Sequence, residues 1–170
     1  MKSAEGIARS RSHKPIGKRH RWDGAAESHP AVVVAWRDAS EQFALIVHGY
    51  NDAIRFFVDV LGFELVEDSP SFTNDGRPKR WVVVRPPGAV TALLLAQADG
   101  GHQAGAVGNQ FAGRVGLFLR ADDFENAFER MRTAGVEFVT KPRDEPYGRV
   151  VVFLDVAGNR WDLLGPRPSD

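Results

Sequence analysis

An internal repeat constrains this chain more than any other feature. From residue 42 onward the order strand, helix, strand, strand, strand is written twice. In the first copy FALIVHG (43–49) is a short apolar run of strand type. Ile54, Phe57, Val58 and Leu61 then recur at i, i+3, i+4 and i+7, one face of a helix. Asn51 is its expected N-cap and Gly62 the left-handed residue that ends it. FELVE (63–67) alternates apolar and acidic, as a half-buried strand does. RWVVVRP (80–86) and TALLLAQ (91–97) are two further strands, with RPPGAV (85–90) as their turn. The second copy repeats the order. GRVGLFLR (113–120) is a strand, and Asp122 or Asp123 caps a helix that buries Phe124, Ala127, Phe128 and Met131. Gly135 stops that helix; VEFVTK (136–141), RVVVFLD (149–155) and RWDLL (160–164) are strands, the last two joined at Ala157-Gly158-Asn159. The joints after the helices show the duplication best: Leu61-Gly62-Phe63-Glu64-Leu65-Val66 against Ala134-Gly135-Val136-Glu137-Phe138-Val139. The fold class expected is α+β, two βαβββ units spanning 42–97 and 114–166.

The rest of the chain bounds the function classes. Residues 1–22 carry a net charge of +6 and the remainder −6. Residues 1–28 read as a basic, disordered extension, and 29–41, with PAVVVAW (30–36), as a linker or an added edge strand. No RNA-binding motif or aromatic interleaving accompanies the basic run, so nucleic acid is not an expected partner. There is no cysteine, which excludes disulfides, thiolate metal sites and cysteine nucleophiles. No apolar run is long enough for a membrane helix, and a cytoplasmic location is expected. The glycine-rich connector ADGGHQAGAVGNQFAG (98–113) lacks the GK[ST] ending of a phosphate loop and reads as a flexible lid or linker. G-x-S-x-G, H-E-x-x-H and G-x-G-x-x-G are all absent.

One residue stands out against the pattern. Asp162 places a carboxylate between Trp161 and Leu163-Leu164, and an unanswered charge in an apolar strand is costly.

DAIRFFVDVLGFELVED (52–68) and EPYGRVVVFLDVAGNRWDLLGP (145–166) resemble the vicinal oxygen chelate superfamily, the group of glyoxalase I, bleomycin-resistance proteins and extradiol dioxygenases. The resemblance runs from Gln42 to Pro166. It implies that each unit curls into a half-cup and that two halves face each other around a site. It also implies metal-ligand positions on the first and last strands of each unit, which here hold Gln42, Leu94, Arg114 and Asp162. Gln42 and Asp162 are oxygen donors, Leu94 has no lone pair, and Arg114 is a fixed cation. His48 lies near the far end of its strand, and His102 sits on the lid loop. No cofactor is therefore expected, with a divalent metal as the alternative. An Arg114–Asp162 pair in place of the metal would answer the lone carboxylate; solvent at the cup mouth would do so equally. By alternation Ala44, Ile46, Ala92, Ala96, Gly116, Phe118, Arg160 and Leu164 face the cup, and Leu45, Val47, Leu93, Leu95, Trp161 and Leu163 face the helices. The ligand-binding set is then Gln42, Leu94, Arg114, Phe118, Arg160 and Asp162. Trp81 and Phe118 would stack on an aromatic ligand or belong to the core; Tyr147 and Arg149 would line the mouth or form a turn.

Three functions follow from the resemblance. The leading one is small-molecule binding without a complete metal site, a sequestration like that of bleomycin-resistance proteins, by a homodimer. The second is a glyoxalase-like lyase or dioxygenase using a divalent metal. The third is a metal-free lyase or isomerase with Asp162 as catalytic base and Arg114 or Arg160 stabilising an enolate-like oxyanion.

Overall fold

Each copy of the repeat folds in the order strand, helix, strand, strand, strand. In the first, β1 (Gln42–Val47) leads into α1 (Tyr50–Arg55), which continues as a π-helical turn, Phe56–Val60. Three strands follow: β2 (Glu64–Phe72), β3 (Pro78–Arg85) and β4 (Ala92–Gln97). The connector carries α2 (Gly100–Ala104). The second copy contains β5 (Val115–Arg120), α3 (Phe124–Thr133), β6 (Arg143–Glu145), β7 (Gly148–Leu154) and β8 (Arg160–Leu164). The computed structural model describes residues 42–166, so the basic extension 1–28 and the expected linker or edge strand 29–41 lie outside the described residues.

The strands form two separate four-stranded sheets with the same order, β1-β4-β3-β2 and β5-β8-β7-β6. In each, the first strand is parallel to the fourth and the other pairs are antiparallel. A first and a fourth strand can lie parallel only because a helix and a hairpin separate them in sequence. The two units thus repeat one topology, as the duplication predicts.

Two local expectations are corrected. Asn51 does not cap α1: the helix starts two residues earlier than that cap would place it, at Tyr50 behind extended Gly49, and no side chain caps it. Asn51 Oδ1 instead accepts a hydrogen bond from Arg80 (2.7 Å), whose guanidinium also lies over the Tyr50 ring and pairs with Asp68. VEFVTK does not form a ladder strand. Only Phe138 bridges to Phe153, and the paired strand begins later, at Arg143. The hydroxyl of Thr140 accepts the Val152 N–H (2.9 Å) in place of a backbone carbonyl, and Pro142 has no N–H to donate. Of the two caps expected on α3, Asp122 or Asp123, it is Asp123 whose carboxylate accepts from Asn126 N (3.0 Å).

The helices lie between the two sheets. Leu45, Val47, Val82, Val84, Leu93 and Leu95 of the first sheet share one buried cluster with Val151, Phe153, Trp161 and Leu163 of the second. Phe57, on the π-helical turn of the first unit, touches Phe63 and also Trp161 on β8, with centroids 5.5 and 5.8 Å apart. Arg130 of α3 donates to the Leu61 carbonyl (3.1 Å) at the end of the first helix. The helix-bearing sides of both units are therefore packed against each other. The expectation that the two half-cups face each other fails within one chain, because that arrangement would expose both helix faces. The sheet faces opposite the helices instead point outward on the two sides of the molecule.

The turn before β8 contains a fully answered carboxylate. Asp155, 5% exposed, accepts from the Ala157 and Asn159 amides (2.9 Å each), from Asn159 Nδ2 (3.1 Å) and from Trp161 Nε1 (2.9 Å). It thereby joins the turn geometry to the orientation of a central core ring.

The connector is not a free lid. Gln110 spreads its amide along the open edge of β1, accepting from Ile46 N (2.9 Å) and donating to the Ala44 carbonyl (2.8 Å). Gly108 lies so close to the Ala157 carbonyl that a β-carbon there would collide with it. Phe111 lies over Gly116, where a β-carbon would fall within the ring. The connector thus straps the edge of one sheet to the turn and first strand of the other.

Two outcomes are expected in urea denaturation. Asp155→Ala strands buried donors and should lose about 3 kcal/mol. Gly116→Ala should lose about 1–3 kcal/mol through overpacking, and much less when made in a Phe111→Ala background, as a double-mutant cycle will show.

Candidate functional site

Register assigns each side chain of the first sheet to a face. Gln42, Ala44 and Ile46 lie beside Ala92, Leu94 and Ala96, and Leu94 lies beside Val83. With Trp81, two residues from Val83, these make a floor of mostly small and apolar groups on the outer face. The β2 residues across from β3 on that face are polar: Ser71 opposite Lys79, Ser69 opposite Trp81, and Glu64 paired with Arg85 at 3.1 Å. At one end lies a cleft of about 540 Å³, reached by Trp81, Leu94 and Ala96 and walled by the β2–β3 turn. Arg77 holds that wall. Its Nε donates to Asp75 (2.8 Å), and its Nη1 donates to Asp99 (2.9 Å) at the start of α2. The Arg77 guanidinium, helped by the Thr73 hydroxyl, holds the Asp75 carboxyl down at about 2.

The outer face of the second sheet differs in chemistry. Phe118 and Asp162 are register partners on β5 and β8, and Val152 flanks Asp162 on β7. Arg160 and Leu154 are partners further along, and Arg143 lies opposite Val150 on β6. Phe118 is 64% exposed, unusual for an aromatic on a strand face. Asp162 is half-buried; its Oδ1 is shielded from water and accepts no hydrogen bond from a described residue. Burial pushes its carboxyl above the usual carboxylate range, and the Arg143 charge pulls it only partly back. Arg143 itself is engaged with Glu145 (2.8 Å).

Arg114 is not what answers Asp162. Val115 pairs with Arg160 and Leu117 with Trp161, so Gly116 is an extra residue, a bulge that breaks the two-residue alternation. Counting by twos from Phe118 back to Arg114 crosses that bulge. Gly116, expected on the cup face, is the bulged residue, and exposed Arg114 precedes the strand. Arg160 is exposed on the Asp162 face and makes no ion pair with a described residue. Arg149 turns toward α3, 3.0 Å from Glu125 and over the Phe124 ring, while Tyr147 is half-exposed in the β6–β7 turn. The expected ligand set is therefore split. Gln42 and Leu94 share the outer face of one sheet; Phe118, Arg160 and Asp162 share that of the other, on the far side of the common core. Sequence reasoning missed Arg143 as the cation nearest in effect to Asp162, since only the β6–β7 register brings it to that face. It missed the Arg77–Asp99 clasp for the same reason, that the two residues lie far apart in sequence.

The residues at the metal-ligand positions that the resemblance implies are poor in donors. His48 and His102 are exposed, and among the described residues no three His, Asp or Glu side chains gather where an ion could sit. Leu94 offers no donor and Arg114 is a fixed cation, so of the four expected positions Gln42 and Asp162 alone carry an oxygen donor, even where two copies bring their faces together. This donor set does not fit a divalent ion. No helix among the described residues is long and apolar enough to cross a membrane.

Comparison with known proteins agrees with the paired βαβββ architecture. The family model described as Glyoxalase/Bleomycin resistance protein/Dioxygenase superfamily matches residues 39–163. An uncharacterized protein of Shewanella frigidimarina is 48% identical over 122 residues, 71% of this chain and 88% of that one. The crystal structure of TnmS3, an antibiotic binding protein from Streptomyces sp. CB03234, superposes with a TM-score of 0.60 at 31% identity, covering 75% of this chain and 95% of that one. A superfamily member from Sphaerobacter thermophilus DSM 20745 gives a TM-score of 0.54 at 29% identity, covering 75% and 96%.

Asp162 has a pH signature. Its folded-state pKa is raised, so between the ordinary carboxylate value and the raised one the native state binds more protons than the unfolded state. Stability from this group therefore falls as pH rises through that window. Asp162→Asn should match the parent below about pH 4 and become the more stable of the two as pH rises. Urea midpoints of both proteins across that range check the sign; a variant less stable at neutral pH would mean that the carboxylate has a stabilising partner.

Proposed function

The chain belongs to the Glyoxalase/Bleomycin resistance protein/Dioxygenase superfamily, and we propose that this member binds a flat, largely apolar small molecule and holds it without transforming it. The observation that carries this is aromatic surface on the outer sheet faces: Phe118 is 64% exposed, and Trp81, partly buried, lines a cleft beside an apolar floor. Within one chain those faces look away from each other, so the guest lies between the Trp81 face of one copy and the Phe118 face of a second. A homodimer of this kind encloses one guest at each contact between a Trp81 face and a Phe118 face. Stacking and apolar burial supply the affinity, and a few polar groups set the orientation. A guest that buries roughly 300 Å² of apolar surface gains about 7 kcal/mol, much of which the entropy of association offsets, so polar contacts must add to it. Similarity to TnmS3, an antibiotic binding protein, makes an aromatic antibiotic the class to try first. No metal takes part.

Calorimetric titration with a panel of aromatic antibiotics tests this. Binding is expected for at least one, with Trp81→Ala and Phe118→Ala each weakening it by about tenfold or more. Sedimentation should give a dimer, and chelator should leave affinity unchanged. Failure of the whole panel to bind, or a full equivalent of transition metal in tag-free protein together with chelator-sensitive turnover, would overturn the reading.

A further inference from the structure

We propose that the guest carries a neutral hydrogen-bond donor, a phenolic or enolic hydroxyl or an aromatic N–H, and that Asp162 is the acceptor that selects it. This rests on the small-molecule binding proposed above and names the chemistry of that guest.

The contrast between two carboxylates of the same segment carries the inference. Asp155 is buried and every part of its surroundings serves it, with two backbone amides, an Asn amide and the Trp161 indole all donating. Its role is internal. Asp162 lies one strand further on, flanked by Phe118 and Val152, and no described residue donates to it. The nearest source of compensation, Arg143, is turned to Glu145 (2.8 Å). A half-buried acceptor left unanswered destabilises the fold that carries it, so the fold gains nothing from Asp162. Oδ1 is shielded, so the other carboxylate oxygen, on the outer face beside the exposed Phe118 ring, is the one a guest meets.

Register fixes what could reach it. Phe118 and Asp162 are directly adjacent across two parallel strands, about 4.8 Å apart. A planar ring stacked on Phe118 therefore overhangs the carboxyl group, and a donor on its edge meets it. The charge of the surroundings decides the donor's type. Arg143 and Arg160 share this face and oppose a cationic guest, while the carboxylate opposes an anionic group at the point of contact. A neutral donor is disfavoured by neither. Discrimination of this kind is steep, because a guest without the donor leaves the acceptor desolvated and unpaired.

Three probes with one skeleton test the proposal by calorimetry on the full chain: naphthol, its methyl ether and naphthylmethylammonium. Naphthol should bind about tenfold or more tighter than the ether, the ratio expected for one hydrogen bond to a charged acceptor. Asp162→Leu should remove that preference while leaving affinity for the ether equal or better, and Asp162→Asn should keep part of it. The comparison of naphthol with its ether on the unaltered protein does not depend on any variant folding. Equal affinity for the two, a preference that survives in the Leu variant, or tighter binding of the ammonium would overturn the inference while leaving small-molecule binding intact. If none of the three binds and the antibiotic panel fails as well, both proposals fall together.

Discussion

Two amphipathic helices, each too apolar on one side to face water, share a single buried layer, and the rest of the architecture depends on that sharing. A four-stranded sheet with one helix on it buries little surface alone. Here the helix face of each unit completes the other, and Phe57 is the residue that makes the dependence visible, since its ring touches Phe63 in its own unit and Trp161 in the second. From Trp161 the ring contacts continue through Phe153 and Phe138 to Phe128 and Phe124 on α3. Because the apolar helix faces are consumed inward, the opposite sheet faces must look outward. The position of any binding surface is a consequence of where the core had to be.

The connector adds a second constraint. Gln110 takes one donor and one acceptor on the edge of β1 and so blunts an edge that would otherwise template another strand. On its other side Gly108 and Phe111 press against the Ala157-Gly158 turn and Gly116. The bulge at Gly116 lies beneath that ring. It shifts alternation in β5 by one residue and separates Arg114 from the face that holds Asp162. A packing requirement in the strap thus decides which charges can meet on the outer surface.

The two outer faces are unlike in a way that suits a single guest between two copies. One is a floor of Ala, Ile, Leu and Val side chains with a Trp, bordered by charged and polar residues of β2 and β3. The other sets an exposed Phe beside an unpaired acid. Stability and function are separated between Asp155 and Asp162: the first is saturated with internal hydrogen bonds, the second has none from a described residue. Residues that serve a fold are answered by it, and a residue that is not answered points outward for its partner.

Much of this was legible in the chain itself. Period-two runs gave the strands, the 3.6-residue spacing of Phe57 and Leu61 or Phe124 and Met131 gave the helices, and repetition gave the paired βαβββ order, because these patterns depend only on neighbours along the backbone. The oddity of Asp162 was legible too, as a charge in an apolar strand. What tertiary structure alone decided was who stands next to whom. Helix burial between the sheets, the bulge that moved Arg114 away, the Thr140 hydroxyl that replaced a strand carbonyl, and the approach of Arg143 to the Asp162 face all join residues distant in sequence. Such contacts are set by the competition of whole surfaces for burial, and no local spacing encodes its outcome.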